Sequence, residues 1–287
     1  MRIANVGGRL ALITHEGVVD VARATAGRFS ADPADAYERW DELREWAGFH
    51  SGAAEPLGDR PLGPPSPSPR QVFAIGLNYA HHAAESKMGI PDFPATFTKF
   101  PTSLAAPDET VALPSANVDW EVELVVVVGR AAHEVDVEDG WAHVAGLTVG
   151  QDLSERRVQL RPPVPQFSLG KSYPGFSPIG PVLVTPDDLP DPDDLEISCT
   201  LNGEQVQHAR TSDLIFTVPE LISRLSSVVR MLPGDLIFTG TPSGIGAARK
   251  PPRYLAPGDE LVSTIEGIGT LTTRFRNGAT AEPELAK

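Results

Sequence analysis

The stretch "VDWEVELVVVVGR", residues 118–130, joins three carboxylates to a strongly apolar run. Successive side chains of an extended strand point to opposite faces, so Asp119, Glu121 and Glu123 share one face. The run "LVVVVG" that follows is apolar on both faces, which is typical of a strand inside a sheet. We therefore expect a central strand that begins with three like charges close together.

Carboxylates at the start of an interior strand need a compensating charge, because neighbouring buried carboxylates repel one another and lose hydration. A cation would supply that charge, whereas the alternative is an edge strand with its carboxylates in solvent. Oxygen ligands without thiolates suit a hard divalent ion such as Mg²⁺ or Mn²⁺. Asp152 in "GLTVGQDLSERRVQ" follows a β-like run and is the candidate for a further ligand. The alternative for Asp152 is a helix N-cap, with Glu155 completing a capping box.

The composition predicts a folded globular protein. Of 287 residues, 41% are hydrophobic and 22% are charged, which is ordinary for such proteins. The net charge of −14 argues against a nucleic-acid partner, since that partner requires a basic surface. The apolar runs are strand-sized and no signal-peptide pattern is visible, so we expect no membrane partner and a cytoplasmic location. Cys199, the single cysteine, lies in an alternating strand-like stretch and is expected in the core.

A linker-like segment divides the chain. "PLGDRPLGPPSPSPRQ", residues 56–71, is rich in Pro, Ser and Gly. We therefore predict a small N-terminal β-rich domain with its linker over residues 1–70 and a main domain over residues 71–287. The main part has short β-rich runs separated by Gly and Pro turns, which predicts an α+β fold. Its clearest helix is "TVPELISRLSSVVRML", residues 217–232, with one apolar stripe along its length.

Three further groups of residues could carry chemistry. His82 and Glu85 lie three apart in the helix predicted over "GLNYAHHAAESKMG", and such a pair can take a proton from water. An exposed His–Glu pair on a helix is the alternative. Lys171 lies in the turn-rich "FSLGKSYPGFSPIGP" and is either a surface lysine or a site residue. Arg156 and Gln159 either bind a substrate carboxylate or lie on a solvated helix.

The order of several motifs between about Val72 and Arg276 resembles the fumarylacetoacetate hydrolase family. The motifs are "GLNYAHHAAES", "FTKFPTSLAAP", "DWEVELVVVVGR", "GQDLSERRVQ", "GKSYPGFSPIGP", "LIFTGTPSGIG" and "EGIGTL". The resemblance implies a mixed β-sandwich roll of the fumarylacetoacetase C-terminal-like type, an α+β fold that is usually dimeric. Residues 1 to about 70 lie outside the shared core, as in longer members with an N-terminal β-rich domain.

The resemblance also implies roles for individual residues. It implies a Mg²⁺ or Mn²⁺ ion held by Glu121, Glu123 and Asp152, a catalytic group formed by His82, Glu85 and Lys171, and substrate contacts from Arg156, Gln159 and Thr241. Asp119 is not a metal position in the family, so it either supports the ligands or faces solvent. Arg157 and Pro174 stand where relatives often have aspartates, and both are expected near the pocket.

The activity that the resemblance implies is enolate chemistry on a small 2-oxo acid. The leading prediction is hydrolysis of a C–C bond in an acylpyruvate, with His82 assisted by Glu85 activating the water. The alternatives are a 2-hydroxyhepta-2,4-diene-1,7-dioate isomerase or hydratase and an oxaloacetate decarboxylase or tautomerase. A hypothesis from another class is a non-catalytic protein that binds a metal or a small acid. A homodimer is expected in each case.

Overall fold

The computed structural model of the protein describes residues 1–50, 52–85, 89 and 91–278. Within them the strands are β1 Arg2–Val6, β2 Arg9–Thr14, β3 Gly17–Asp20, β4 Leu62–Gly63, β5 Val72–Gly76, β6 Ala95–Thr98, β7 Leu104–Ala105, β8 Thr110–Leu113, β9 Val118–Asp119, β10 Val122–Val128, β11 Val144–Gln151, β12 Ser154–Glu155, β13 Ser177–Val184, β14 Glu196–Leu201, β15 Glu204–Arg210, β16 Leu236–Phe238, β17 Glu260–Ile265 and β18 Gly269–Asn277. The helices are α1 Val21–Ala24, α2 Trp40–Phe49, α3 Ala80–Glu85, α4 Arg156–Gln159, α5 Phe167–Gly170 and α6 Val218–Ser226.

The strands form two main sheets and one short pair. The large sheet has the order β3-β2-β1-β13-β11-β10-β16-β5-β6, with β4 added on β1 and β7 on β13. The second sheet has the order β15-β14-β17-β18-β8, and β12 pairs with β9. Parallel pairs such as β16 with β5 occur beside antiparallel ones. The α+β prediction of mixed, sheet-dominated layers is confirmed.

Strand β10 lies between β11 and β16, inside the large sheet. All seven of its residues are buried, so the interior-strand prediction is confirmed and the edge-strand alternative is wrong. Leu124 and Val126 belong to the core that includes residues of the five-stranded sheet. Val125 and Val127 point into the other core, together with Trp40 and other residues of the N-terminal part. Burial on both faces explains the unbroken apolar run.

The N-terminal part shares the large sheet with the rest of the chain. Strand β1 pairs antiparallel with β13, with Ile3 opposite Leu183. Helix α2 places Trp40 and Leu43 in the same core as Val125. The boundary between residues 70 and 71 stays a prediction of domain organisation, and the two parts have one sheet and one core in common.

Helix α6 begins as predicted and ends earlier than predicted. Thr217 and Glu220 form the capping box, and the helix ends at Ser226. Val228 is 75% exposed and Val229 is 38% exposed, so the extension of the apolar stripe beyond the helix was wrong. Two serines and two β-branched residues follow one another there, and both types favour helix less than Leu or Ala. Among the helices of the described residues, none is long and apolar enough to cross a membrane.

Replacement of a core leucine on β11 tests the central position of this strand. Leu147 is fully buried, so Leu147→Ala should lower the free energy of unfolding by about 2–5 kcal/mol. The matched control is Leu169→Ala, since Leu169 is 53% exposed and its loss should change stability by less than about 0.5 kcal/mol. Urea unfolding followed by circular dichroism measures both changes, and equal effects of the two variants would contradict the architecture.

Candidate metal centre and active site

Pairing of β10 with β11 brings three carboxylates together. Glu121 immediately precedes β10, Glu123 lies on it, and Asp152 immediately follows β11. The two strands are antiparallel, and the Asp152 N–H donates to the Glu121 carbonyl at 2.9 Å. The candidate ligand oxygens of these three buried residues lie within 4.8 Å of one another. An oxygen-only donor set of this size fits Mg²⁺ or Mn²⁺.

Two buried lysines contact this group of carboxylates. Lys171 Nζ donates to Glu121 Oε2 at 2.8 Å and to Asp152 Oδ2 at 2.6 Å. Lys99 Nζ donates to Asp152 Oδ1 at 2.5 Å and also to the carbonyl oxygens of Lys171 and Phe176. The structure thus places the predicted Lys171 in the site and adds Lys99, which the sequence analysis did not select.

Asp119 orients Arg156. Its Oδ2 accepts hydrogen bonds from Arg156 Nε at 2.9 Å and Nη2 at 2.7 Å. Arg156 Nη1 in turn lies 2.7 Å from Glu121 Oε1 and donates to Gln159 Oε1 at 2.8 Å. Asp119 is fully buried, so the solvent-facing alternative for it was wrong. It is linked to Glu121, a candidate ligand, through Arg156.

The N-cap alternative for Asp152 was also wrong. Helix α4 is capped by Glu155, whose side chain accepts from the Val158 N–H at 2.6 Å. Both carboxylate oxygens of Asp152 instead accept hydrogen bonds from lysines.

The charges in this part of the structure do not balance. We use the name carboxylate cluster for Asp119, Glu121, Glu123 and Asp152. The cations that contact the cluster are Lys99, Lys171 and Arg156. If all seven side chains are ionised, four negative charges meet three positive ones. A bound divalent ion would reverse the excess to one positive charge, which suits an anionic substrate.

Glu123 is the carboxylate of the cluster whose negative charge is least compensated. Burial would raise the pKa of Glu121, but Lys171 and Arg156 outweigh it and lower that pKa to about 2. For Glu123, burial followed by repulsion from Asp152 and Glu121 raises the pKa well above its ordinary value. The Glu123 carboxylate accepts the Gly240 N–H at 2.8 Å. Across the described residues it forms no ion pair, so Glu123 is the carboxylate with most to gain from a metal ion.

Helix α3 carries the predicted histidine and glutamate. His82 Nδ1 lies 3.5 Å from Glu85 Oε2, the outer limit of a hydrogen bond, and His82 is 7% exposed. Both Glu85 oxygens lie 3.2 Å from the Gly244 nitrogen. His82 lines the same cavity as Glu121, one of the clustered carboxylates. The predicted C-terminal end of this helix falls on residues 86–88, outside the described residues.

A cavity of about 640 Å³ unites the predicted groups. The predicted site residues that line it are His82, Glu85, Glu121, Arg156, Gln159, Lys171 and Thr241. Its wall is completed by apolar side chains such as Phe97, Phe167 and Ile245. Arg157 and Pro174 are exposed and are not among the described residues that line this cavity, so the expectation for these two was wrong. A larger groove of about 900 Å³ lies beside α2, away from the carboxylate cluster.

Thr241 fixes the loop that follows β16. Its hydroxyl donates to the Val122 carbonyl at 2.9 Å and accepts from Gln207 Nε2 at 2.8 Å. Gln207 Oε1 also accepts the Val122 N–H at 3.0 Å. Sequence reasoning missed Gln207, because a glutamine on an exposed-looking strand carries no local signal of this contact.

Removal of one candidate ligand tests the metal centre. Glu121→Gln should weaken Mn²⁺ binding by at least about tenfold, because a neutral amide replaces a buried anionic ligand. Titration calorimetry of the metal-free protein with MnCl₂ measures the affinity. Glu138→Gln is the control, since Glu138 is exposed and lies in the 3-10 helix Val137–His143 that precedes β11. Unchanged affinity in Glu121→Gln would contradict the assignment.

The chain is similar to known proteins in sequence and in structure. Residues 71–276 match the model of the fumarylacetoacetate (FAA) hydrolase C-terminal domain. The human mitochondrial oxaloacetate tautomerase FAHD2A is 43% identical over 212 residues, covering 73% of this chain and 68% of the human protein. A solved Mycobacterium smegmatis protein named HpcE superposes with a TM-score of 0.94 at 55% identity, covering 97% of this chain and all of that one.

A further solved structure contains ligands. Maleylpyruvate hydrolase from Sphingobium sp. SYK-6, in complex with manganese(II) and pyruvate, has a TM-score of 0.80 at 28% identity. The alignment covers 97% of this chain and 100% of that chain. The extent of the family match and the identity to these relatives lead to one conclusion: the chain is an enzyme that belongs to the fumarylacetoacetate hydrolase family.

Proposed function

We propose that the protein is a divalent-metal-dependent enzyme that acts on a small 2-oxo acid through its enolate. The observation that carries this proposal is the set of three clustered buried carboxylates, of which Glu121 lines the cavity together with Lys171 and His82. Mg²⁺ or Mn²⁺ held by Glu121, Glu123 and Asp152 would supply Lewis-acid polarisation of the 2-oxo acid.

The residues of the chain supply the remaining electrostatics. Lys171 lines the cavity, and its ammonium group can donate a hydrogen bond to an oxygen that gains negative charge. Asp119 and Glu121 hold Arg156, whose guanidinium also lines the cavity and can orient the acid end of the substrate. The apolar side chains of Phe97, Phe167 and Ile245 line the same cavity and would reduce the amount of water around these contacts.

The reaction that we propose first is keto–enol tautomerisation of oxaloacetate. A proton leaves C3 of the keto form and a proton is added to the oxygen at C2, so no co-reactant is needed. His82 is the group in the cavity suited to carry this proton, because Glu85 can hold its Nδ1 and leave Nε2 free. The 43% identity to the human oxaloacetate tautomerase supports this order over hydrolysis, the leading prediction from the sequence.

The second candidate reaction is hydrolysis of an acylpyruvate. Here His82 would take a proton from water that attacks the distal carbonyl, the C–C bond would break, and the electrons would pass to the enolate of pyruvate. The His82–Glu85 pair inside the cavity favours this reaction, as does the likeness to a maleylpyruvate hydrolase. Isomerisation of a 2-hydroxydienedioate and decarboxylation of oxaloacetate would proceed through the same type of enolate.

We also propose a homodimer and a cytoplasmic location, both of which are expected from the sequence.

Two histidines on one helix provide a matched test. With Mn²⁺ present, the protein should accelerate ketonisation of enol-oxaloacetate. The loss of the enol absorbance measures this rate. His82→Asn should lower the rate by about 10²–10⁴, the usual contribution of a general base. His81→Asn is the control, because His81 is its exposed neighbour on α3.

The same variants assayed with acylpyruvates separate the two reactions. Pyruvate release by the wild-type protein, lost in His82→Asn, would support hydrolysis. If the metal-loaded protein turns over neither substrate, the proposed function is wrong. If His82→Asn retains full activity on the substrate that is used, the role assigned to His82 is wrong.

A further inference from the structure

Residues 245–250 form a wall of the cavity that is fixed to the carboxylate cluster. Ile245, Ala247, Ala248, Arg249 and Lys250 all line the cavity. The wall is held by backbone hydrogen bonds to Asp119, with the Gly246 nitrogen 2.7 Å from Oδ1 and the Ala247 nitrogen 2.9 Å from Oδ2. The carboxylate that orients Arg156 therefore also positions this wall.

Arg249 has hydrogen-bonding capacity that the protein leaves unused. Its guanidinium carbon lies 5.6 Å from the centroid of the Trp120 ring. Its Nη1 is 3.4 Å from Glu204 Oε1, whereas Arg253 Nη1 holds the other oxygen of Glu204 at 2.6 Å. Arg249 Nε is buried and has no hydrogen-bond partner in the described part of the chain. Of the five N–H donors of this guanidinium, one thus has a hydrogen-bond partner among the described residues.

The cations that line the cavity fall into two groups. Arg156 and Lys171 are paired with Asp119, Glu121 and Asp152. Among the described residues, Arg249 forms an ion pair only with Glu204, which does not line the cavity, and exposed Lys250 forms none. The chain has a net charge of −14, so two cations at one cavity that are not paired with its carboxylates are unusual. Arg249 and Lys250 could bind a second anionic group of a substrate.

We propose that Arg249, with Lys250 beside it, binds the second carboxylate of a dicarboxylic 2-oxo acid. This inference rests on the proposed function, which places the 2-oxo acid end of the substrate at the carboxylate cluster. The Arg249 guanidinium is partly buried and has N–H donors without partners. Such a group matches a carboxylate in geometry and charge. Arg249 is then a specificity-determining residue, since it distinguishes diacids from monoacids of the same length.

The test compares acids that differ only at the distal end. The pairs are 2-oxoglutarate with 2-oxopentanoate, and 2-oxoadipate with 2-oxohexanoate, titrated calorimetrically into the Mn²⁺-loaded protein. The wild-type protein should bind the diacid of at least one pair about tenfold or more tightly than its monoacid, as expected for a charge-assisted hydrogen bond. Arg249→Gln should abolish that preference and leave monoacid binding unchanged.

Arg253→Gln is the matched control for the loss of a cation beside Glu204. Arg253 shares Glu204 with Arg249 but does not line the cavity, so this variant should keep the diacid preference. A wild-type protein that binds monoacids as tightly as diacids would overturn the inference, as would a preference that survives in Arg249→Gln. Binding needs no turnover, so a failure of the oxaloacetate and acylpyruvate assays would count against the proposed function alone.

Discussion

Electrostatic repulsion among buried carboxylates is the constraint on which the site depends. Asp119, Glu121, Glu123 and Asp152 are placed together by β10, β11 and the residues that flank them. Lys99, Lys171 and Arg156 offset most of this repulsion at contact distances of 2.5–2.9 Å. The remaining negative charge is the property that suits the cluster to a divalent ion, and the fully buried strands behind it keep the candidate ligands in place.

Much of this arrangement could be predicted from the sequence. The double-sided apolar run of β10 requires burial on both faces, and the structure places one core on each side of it. Strand alternation placed Glu121 and Glu123 on one face, and the end of a β-like run indicated Asp152. These predictions depend on local periodicity, which is a strong signal in regular strands.

Other features could not be predicted because they depend on contacts between distant parts of the chain. Lys99 is a single lysine near the end of a short strand, and only the fold shows that it reaches Asp152, 53 residues away. Strand parity alone left Asp119 either exposed or buried, and its partner Arg156 lies 37 residues further along the chain. The choice between tautomerisation and hydrolysis could not be predicted from the sequence either. Both reactions use the same type of enolate and the same set of residues.

The proposed function depends on Glu121, Glu123 and Asp152 holding a divalent ion to which a 2-oxo acid binds. The most direct measurement is a crystal structure of the protein grown with MnCl₂ and oxalate, with anomalous diffraction recorded at the manganese edge. We expect an anomalous peak within about 2.0–2.3 Å of oxygens of all three carboxylates and of oxalate. A cavity without such a peak, or a manganese ion bound elsewhere on the chain, would contradict it.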